Sequence, residues 1–133
     1  MKERRGFRYH SRMSRTIRVL IALAISAVAC KGDSRQLDES KARVARVVTR
    51  KFGYEAFPEW ATSHSGTACP SSLSELMPFM NGKDDATDPW GHPYRMLCGA
   101  AAPAAAHGFG AVSDGPDGKP GTADDVASWA DAP

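Results

Sequence analysis

Four carboxylates, Asp114, Asp117, Asp124 and Asp125, lie close together near the end of a 133-residue chain. Between them Gly115, Gly118 and Gly121 permit tight turns, and Pro116 and Pro120 stiffen the path. Carboxylates brought together without a cation repel. A hard cation such as calcium takes six to eight oxygens, from carboxylates and backbone carbonyls on a chain able to fold round it. The loop therefore has the chemistry for calcium. The plainer alternative is a solvated surface hairpin, which uses the same residue types. An EF-hand is excluded, because Asp114 as its first position would place Pro116 third and Asp125 twelfth, where glutamate is expected.

Catalysis has little to draw on. His64, His92 and His107 fall in a loop, a turn and a strand start, and no Cys–His or Ser–His–Asp context accompanies them. Asp114 with Asp117 could form an acid–base pair, but a glycine loop suits a cation better than a water-excluding pocket. The expectation is a protein that is no enzyme and has no small-molecule substrate.

The elements that must position the loop are short. Phe109, Ala111 and Ser113 alternate with Gly110 and Val112, which predicts a strand entering the loop; residues 126–129 restore apolar character and predict the strand leaving it. Upstream, Asp88-Pro-Trp-Gly-His-Pro-Tyr-Arg-Met-Leu-Cys98 reads as a turn shaped by Pro89 and Gly91. It leads to a strand with Tyr94, Met96 and Cys98 on one face, while Trp90 covers the core. Residues 100–106 form a small-residue linker, and 62–67 and 81–87 are polar loops.

Residues 33–52 predict a helix. Asp33 or Ser34 can cap it, and Leu37, Val44, Val47, Val48 and Phe52 recur on one inward face. Lys41, Arg43, Arg46, Arg50 and Lys51 make a solvated basic side, and Gly53 with Pro58 ends the element. A short turn over 55–61 brings Phe57 and Trp60 to the core. Residues 69–80 predict a second short helix with Pro70 in its first turn and Leu73, Leu76 and Met77 inward. The fold class is α+β, an N-terminal helix on a small antiparallel sheet of about three strands over 88–130.

The front of the chain is of another kind. Seven of the seventeen Lys and Arg precede Val19, and residues 19–29 are apolar apart from Ser26, ending at Cys30. A basic segment, a short apolar run and small residues before a cut describe an export signal over 1–29; a comfortable span needs about 20 apolar residues. Starting at Met13 instead of Met1 would give a more ordinary signal length. Without the signal, ten basic residues face fourteen acidic ones, a net charge of about −4. The basic balance of the whole chain thus carries no nucleic-acid reading. Ala27-Val28-Ala29-Cys30 resembles the bacterial lipobox, in which the cysteine is lipidated and anchors the mature chain, 30–130, to a membrane. With Cys30 carrying lipid, Cys69 and Cys98 remain to form one disulfide in an oxidising compartment, closing a loop worth about 3 kcal/mol. Zinc lacks a Cys-x-x-Cys or His pair at ligand spacing.

Asp88-Pro-Trp-Gly-His-Pro-Tyr94, followed by Ser113-Asp-Gly-Pro-Asp-Gly-Lys-Pro-Gly-Thr-Ala-Asp-Asp-Val126 and Trp129, resembles the C-terminal domain of the major pseudopilin of type II secretion (the GspG type). The resemblance covers about residues 33–130 and is specific in the last third of the chain. It implies a long helix on a small antiparallel sheet, a final loop that binds calcium, and subunits stacking into a short periplasmic pseudopilus. It further implies Asp117 and the Asp124/Asp125 pair as side-chain ligands, with the Ser113 hydroxyl and the Val112 carbonyl as further oxygens. The front departs from the pattern. Gly6-Phe7 could mimic the prepilin cut, but the fifth residue after it is Ser11 where that family has glutamate, and the apolar run is late and short.

Two function classes follow. One is a non-enzymatic, calcium-stabilised structural subunit or accessory of type II secretion, partnered by pseudopilus or other secretion subunits. The other is a membrane-anchored lipoprotein binding module that uses this domain outside any filament. Both place an exported, membrane-anchored chain facing the periplasm or cell surface.

Overall fold

The structure is a computed structural model that describes residues 15–82 and 84–130, with side chains from residue 33 onward. Two units, Met1–Gln36 and Leu37–Pro133, divide the chain. The first is described only as the leading part of helix α1, Arg15–Lys51. Of the export signal expected over 1–29, residues 1–14 lie outside the described residues and 15–29 are described only as helical backbone; the side chain of Cys30 is not described. Among the described residues no helix is long and apolar enough to cross a membrane.

The second unit is built on the end of α1, and here the expected boundaries change. Asp33 and Ser34 are interior helical residues, not caps, and Gly53 does not end the helix. The chain passes instead into a π-turn, Phe52–Ala56, whose closing N–H on Phe57 donates to the carbonyl of Phe52. A second helix, α2, Phe57–Ser63, follows at once. Pro58 has no N–H to donate and its ring crowds the preceding turn. Placed in the first turn of α2, directly after the widened π-turn, it does neither harm. Gly53 lies against Ser128, which brings the helix close to the end of the sheet.

The buried face of α1 is only partly the one expected: Val48 and Phe52 are on it, and Leu37, Val44 and Val47 are not. Ala45, Val48, Thr49 and Phe52 face the core, continued by Ala56 and Trp60, whereas Leu37, Val44 and Val47 are each more than half exposed. Two apolar arcs share this helix. The one that packs contains small residues, which let the helix approach the sheet, and the Thr49 hydroxyl it buries donates to the carbonyl of Arg46 at 3.1 Å. Phe57 stacks on Phe109 with ring centres 4.2 Å apart, and Phe52 meets Tyr94 edge-on at 5.8 Å. These aromatic contacts join the helical layer to the sheet.

The second short helix is a 3-10 segment, Leu73–Phe79, with Pro78 inside it; Pro70 precedes the segment and is not in its first turn. Leu73, Leu76 and Met80 are buried on its inner side, and Met77 packs against the same core. A disulfide joins Cys69 to Cys98 with Cα atoms 5.9 Å apart, fixing the preceding loop to the end of the first strand.

Three antiparallel strands form the sheet in the order β1-β2-β3, with β1 Arg95–Cys98, β2 Phe109–Ser113 and β3 Val126–Ala127. Residues 99–106 hold two 3-10 turns rather than a plain linker. Met96 pairs with Ala111 and Cys98 with Phe109, so those side chains share the inner face. Arg95 pairs with Val112, which pairs in turn with Ala127, and these occupy the outer face. Trp129 covers that face over Gly110, where a Cβ would stand 2.3 Å from the indole. The fold is α+β, and its acidic loop is the connection between β2 and β3.

Candidate functional site

The site begins at the turn before β1. Asp88 is buried, and one carboxylate oxygen accepts the backbone N–H groups of Trp90 (3.0 Å) and His92 (2.8 Å). Its other oxygen accepts the Ser113 hydroxyl at 2.6 Å, and Ser113 Oγ itself accepts the N–H of Gly115 at 3.2 Å. One side chain thus shapes the turn and holds the last residue of β2. The Trp90 indole N–H donates to Asp38 on α1 at 3.2 Å, and His92 Nδ1 lies 3.0 Å from the Gly115 carbonyl. Helix, turn and loop entrance are coupled through this short segment.

Glycine is required where the loop starts. Gly115 has φ +65°, and a Cβ there would stand 2.5 Å from the Asp124 carbonyl, so the first and last parts of the loop touch backbone to backbone.

The loop carboxylates divide into two sets. Asp114 faces Arg95, whose Nε donates to it at 2.6 Å. Asp117, Asp124 and Asp125 converge on the hydroxyl of Thr122. Thr122 Oγ1 lies 2.6 Å from Asp124 Oδ1 and 3.3 Å from an oxygen each of Asp117 and Asp125, with the Lys119 carbonyl at 3.1 Å. A hydroxyl has a single proton to donate, so it cannot serve all four acceptors. Backbone N–H groups supply more: Lys119 to Asp117 (2.9 Å), Asp117 to Asp124 (3.3 Å) and Gly121 to Asp125 (2.8 Å). The Thr122 hydroxyl is the main cause that holds the Asp124 carboxyl below its usual value; partial desolvation opposes it, and the Asp117 N–H adds to it.

Three of the five expected ligand residues, Asp117, Asp124 and Asp125, are therefore brought together. The other two are not part of that group. The Ser113 hydroxyl is fully buried and engaged with Asp88, and Val112 lies inside the ladder between Arg95 and Ala127. Among the described residues no three carboxylate, imidazole or thiol groups stand as a ready-made metal-binding set. The donor set around Thr122 is nonetheless all oxygen and richer in acceptors than in protons, which suits a hard cation and not zinc or copper.

Sequence reasoning missed Thr122, Arg95 and the clamp made by Asp88. A signal existed for the first, since a threonine followed two and three residues later by aspartates places its hydroxyl among their carboxylates. None existed for Arg95, because strand register decides what it faces.

Compared with known proteins, the chain matches the family model described as type II secretion system, protein G, over residues 63–129. No curated protein and no solved structure matches it. The family match covers all three strands, the clamp and the acidic loop, and takes in half of the 133-residue chain.

Proposed function

The chain belongs to the type II secretion system protein G family, and from that premise we propose that it is a calcium-stabilised structural subunit or accessory of the secretion pseudopilus, held at a membrane by its N-terminal segment. Its GspG-type pseudopilin domain makes it a structural secretion component of the cell envelope. The calcium and the anchor are the finer reading. The observation that carries the calcium is the convergence of Asp117, Asp124, Asp125 and the Lys119 carbonyl on the Thr122 hydroxyl. A divalent ion bound by Asp117, Asp124 and Asp125 would offset the repulsion among them and tie the loop tip to β3. In this reading calcium supplies rigidity, not chemistry.

A second reading rests on Cys30, at the end of the apolar run. Lipidation there would anchor the domain as a lipoprotein outside a filament, with partners other than pseudopilus subunits. Intact mass of the chain purified from its own membrane fraction separates the two. A methylated chain starting at Phe7 supports prepilin processing and the pseudopilus. A diacylated or triacylated chain starting at Cys30 supports the lipoprotein and overturns the filament subunit in its ordinary form.

A further inference from the structure

Arg95 stands where a cation would be useful. Its Nε lies 2.6 Å from Asp114 Oδ1, and its Nη2 lies 3.5 Å from Asp125 Oδ2. Asp114 is the first residue after β2 and Asp125 the last before β3, so one guanidinium bridges the two ends of the loop. Both carboxylates are mostly withdrawn from water, with side-chain exposures of 10% and 18%. A carboxylate so placed needs a partner, and the planar, always charged guanidinium can serve two at once. Lys119 lies in the loop tip, but among the described residues it makes no ion pair with Asp117 or Asp124, whereas Arg95 pairs with both carboxylates at the loop base. The register that pairs Arg95 with Val112 puts this side chain on the outer face, beside the loop.

We propose that Arg95 is a built-in counter-cation of the acidic loop: it closes the loop base without a metal and competes with a divalent cation for Asp125. The competition rests on the calcium reading above; the closure does not. A loop closed this way stays folded when calcium is scarce. The ion then orders the tip, bound by Asp117 and Asp124, and takes Asp125 only by weakening its pair with Arg95.

The test uses the full chain in detergent, as parent, Arg95→Gln and Arg95→Lys, with calcium chloride as the probe. In EDTA, amide hydrogen exchange over residues 114–125 should be about tenfold faster in Arg95→Gln than in the parent, as expected of a locally opened segment. Saturating calcium should restore it. Arg95→Lys, which keeps the charge but not the fork that reaches both carboxylates, should fall between the parent and Arg95→Gln. By titration calorimetry at low salt, Arg95→Gln should bind calcium about fivefold more tightly than the parent, once a partly screened positive charge is gone. Unchanged loop exchange in EDTA, or Arg95→Lys matching Arg95→Gln, overturns the closure. A parent that binds calcium with an affinity unmoved by Arg95→Gln overturns the competition alone. If parent and Arg95→Gln both ignore calcium, the competition and the calcium reading fall together, while exchange in EDTA still decides the closure.

Discussion

The Ser113 hydroxyl donates to Asp88 at 2.6 Å across 25 residues of chain, and it is this buried bond that locks the Asp-Pro-Trp-Gly turn to the strand entering the acidic loop. The same carboxylate holds two backbone N–H groups of the turn. Asp88→Ala would leave those half-buried N–H donors and the buried Ser113 hydroxyl without this acceptor. A loss of about 3 kcal/mol is expected, at the upper end for removing one partner of a buried network. Urea unfolding followed by tryptophan fluorescence measures it, and a loss below about 1 kcal/mol would show that the clamp is slack.

Acid should act on the loop through Asp124. Its carboxyl is held below the usual value chiefly by the Thr122 hydroxyl. A carboxylate depressed in the folded state contributes stability above its unfolded pKa, near 4, and that stability is lost as pH falls through the lower folded value. Thr122→Val keeps the side-chain shape and removes the hydroxyl. The melting temperature of this variant, measured in EDTA, should therefore fall less than the parent's between neutral pH and about pH 3. Parallel curves for the two chains would contradict the role given to Thr122.

The lysine at the end of α1 gives the opposite sign. The Lys51 ammonium donates to Asp84 at 2.7 Å, and this bond is the main cause that raises its pKa. A raised lysine contributes stability below its unfolded pKa, near 10.5, which is lost as pH rises through the folded value. Lys51→Met should melt slightly below the parent up to about pH 9, where the pair contributes, and the two curves should converge as pH rises through the lysine's folded pKa. The difference is small because a partly exposed pair contributes little. A large drop at neutral pH would show a packing role instead.

Reducing the Cys69–Cys98 disulfide, which spans a sequence separation of 29, releases the loop before the 3-10 segment from the end of β1. A loss of about 3 kcal/mol is expected from the entropy returned to the unfolded chain. Unfolding with and without dithiothreitol measures it, and coincident curves would contradict it.

Much of this fold could be read from residue types. Alternation in 109–113 and the Tyr94, Met96, Cys98 set gave strand faces that the register bears out, and three Cys with Cys30 set aside for lipid left the pair that is bonded. The helix was harder. Leu37, Val44 and Val47 have the right spacing for a buried stripe but are exposed, because Ala45 and Thr49 beside them are small enough to let the sheet approach. Gly53 and Pro58 looked like a stop, yet a π-turn takes up Gly53 and the first turn of α2 takes Pro58. In the loop, the acidic residues were visible by type, and which of them meet was not. Arg95 draws Asp114 and Asp125 to the loop base, and Asp88 occupies the Ser113 hydroxyl, through contacts set by strand register rather than by spacing along the chain.

The most direct measurement is the melting temperature of the parent, Asp117→Ala and Asp124→Ala in calcium and in EDTA. Asp117 is exposed, and among the described residues its carboxylate meets just the Lys119 N–H and the Thr122 hydroxyl. Its loss should therefore cost little without the metal. Calcium at about 100 times its dissociation constant should stabilise the parent by about 2.7 kcal/mol, a rise of several degrees. Asp117→Ala should lose most of that rise and melt near the parent in EDTA, and Asp124→Ala should lose the rise too. Equal melting of parent and both variants in calcium would contradict a calcium-stabilised loop.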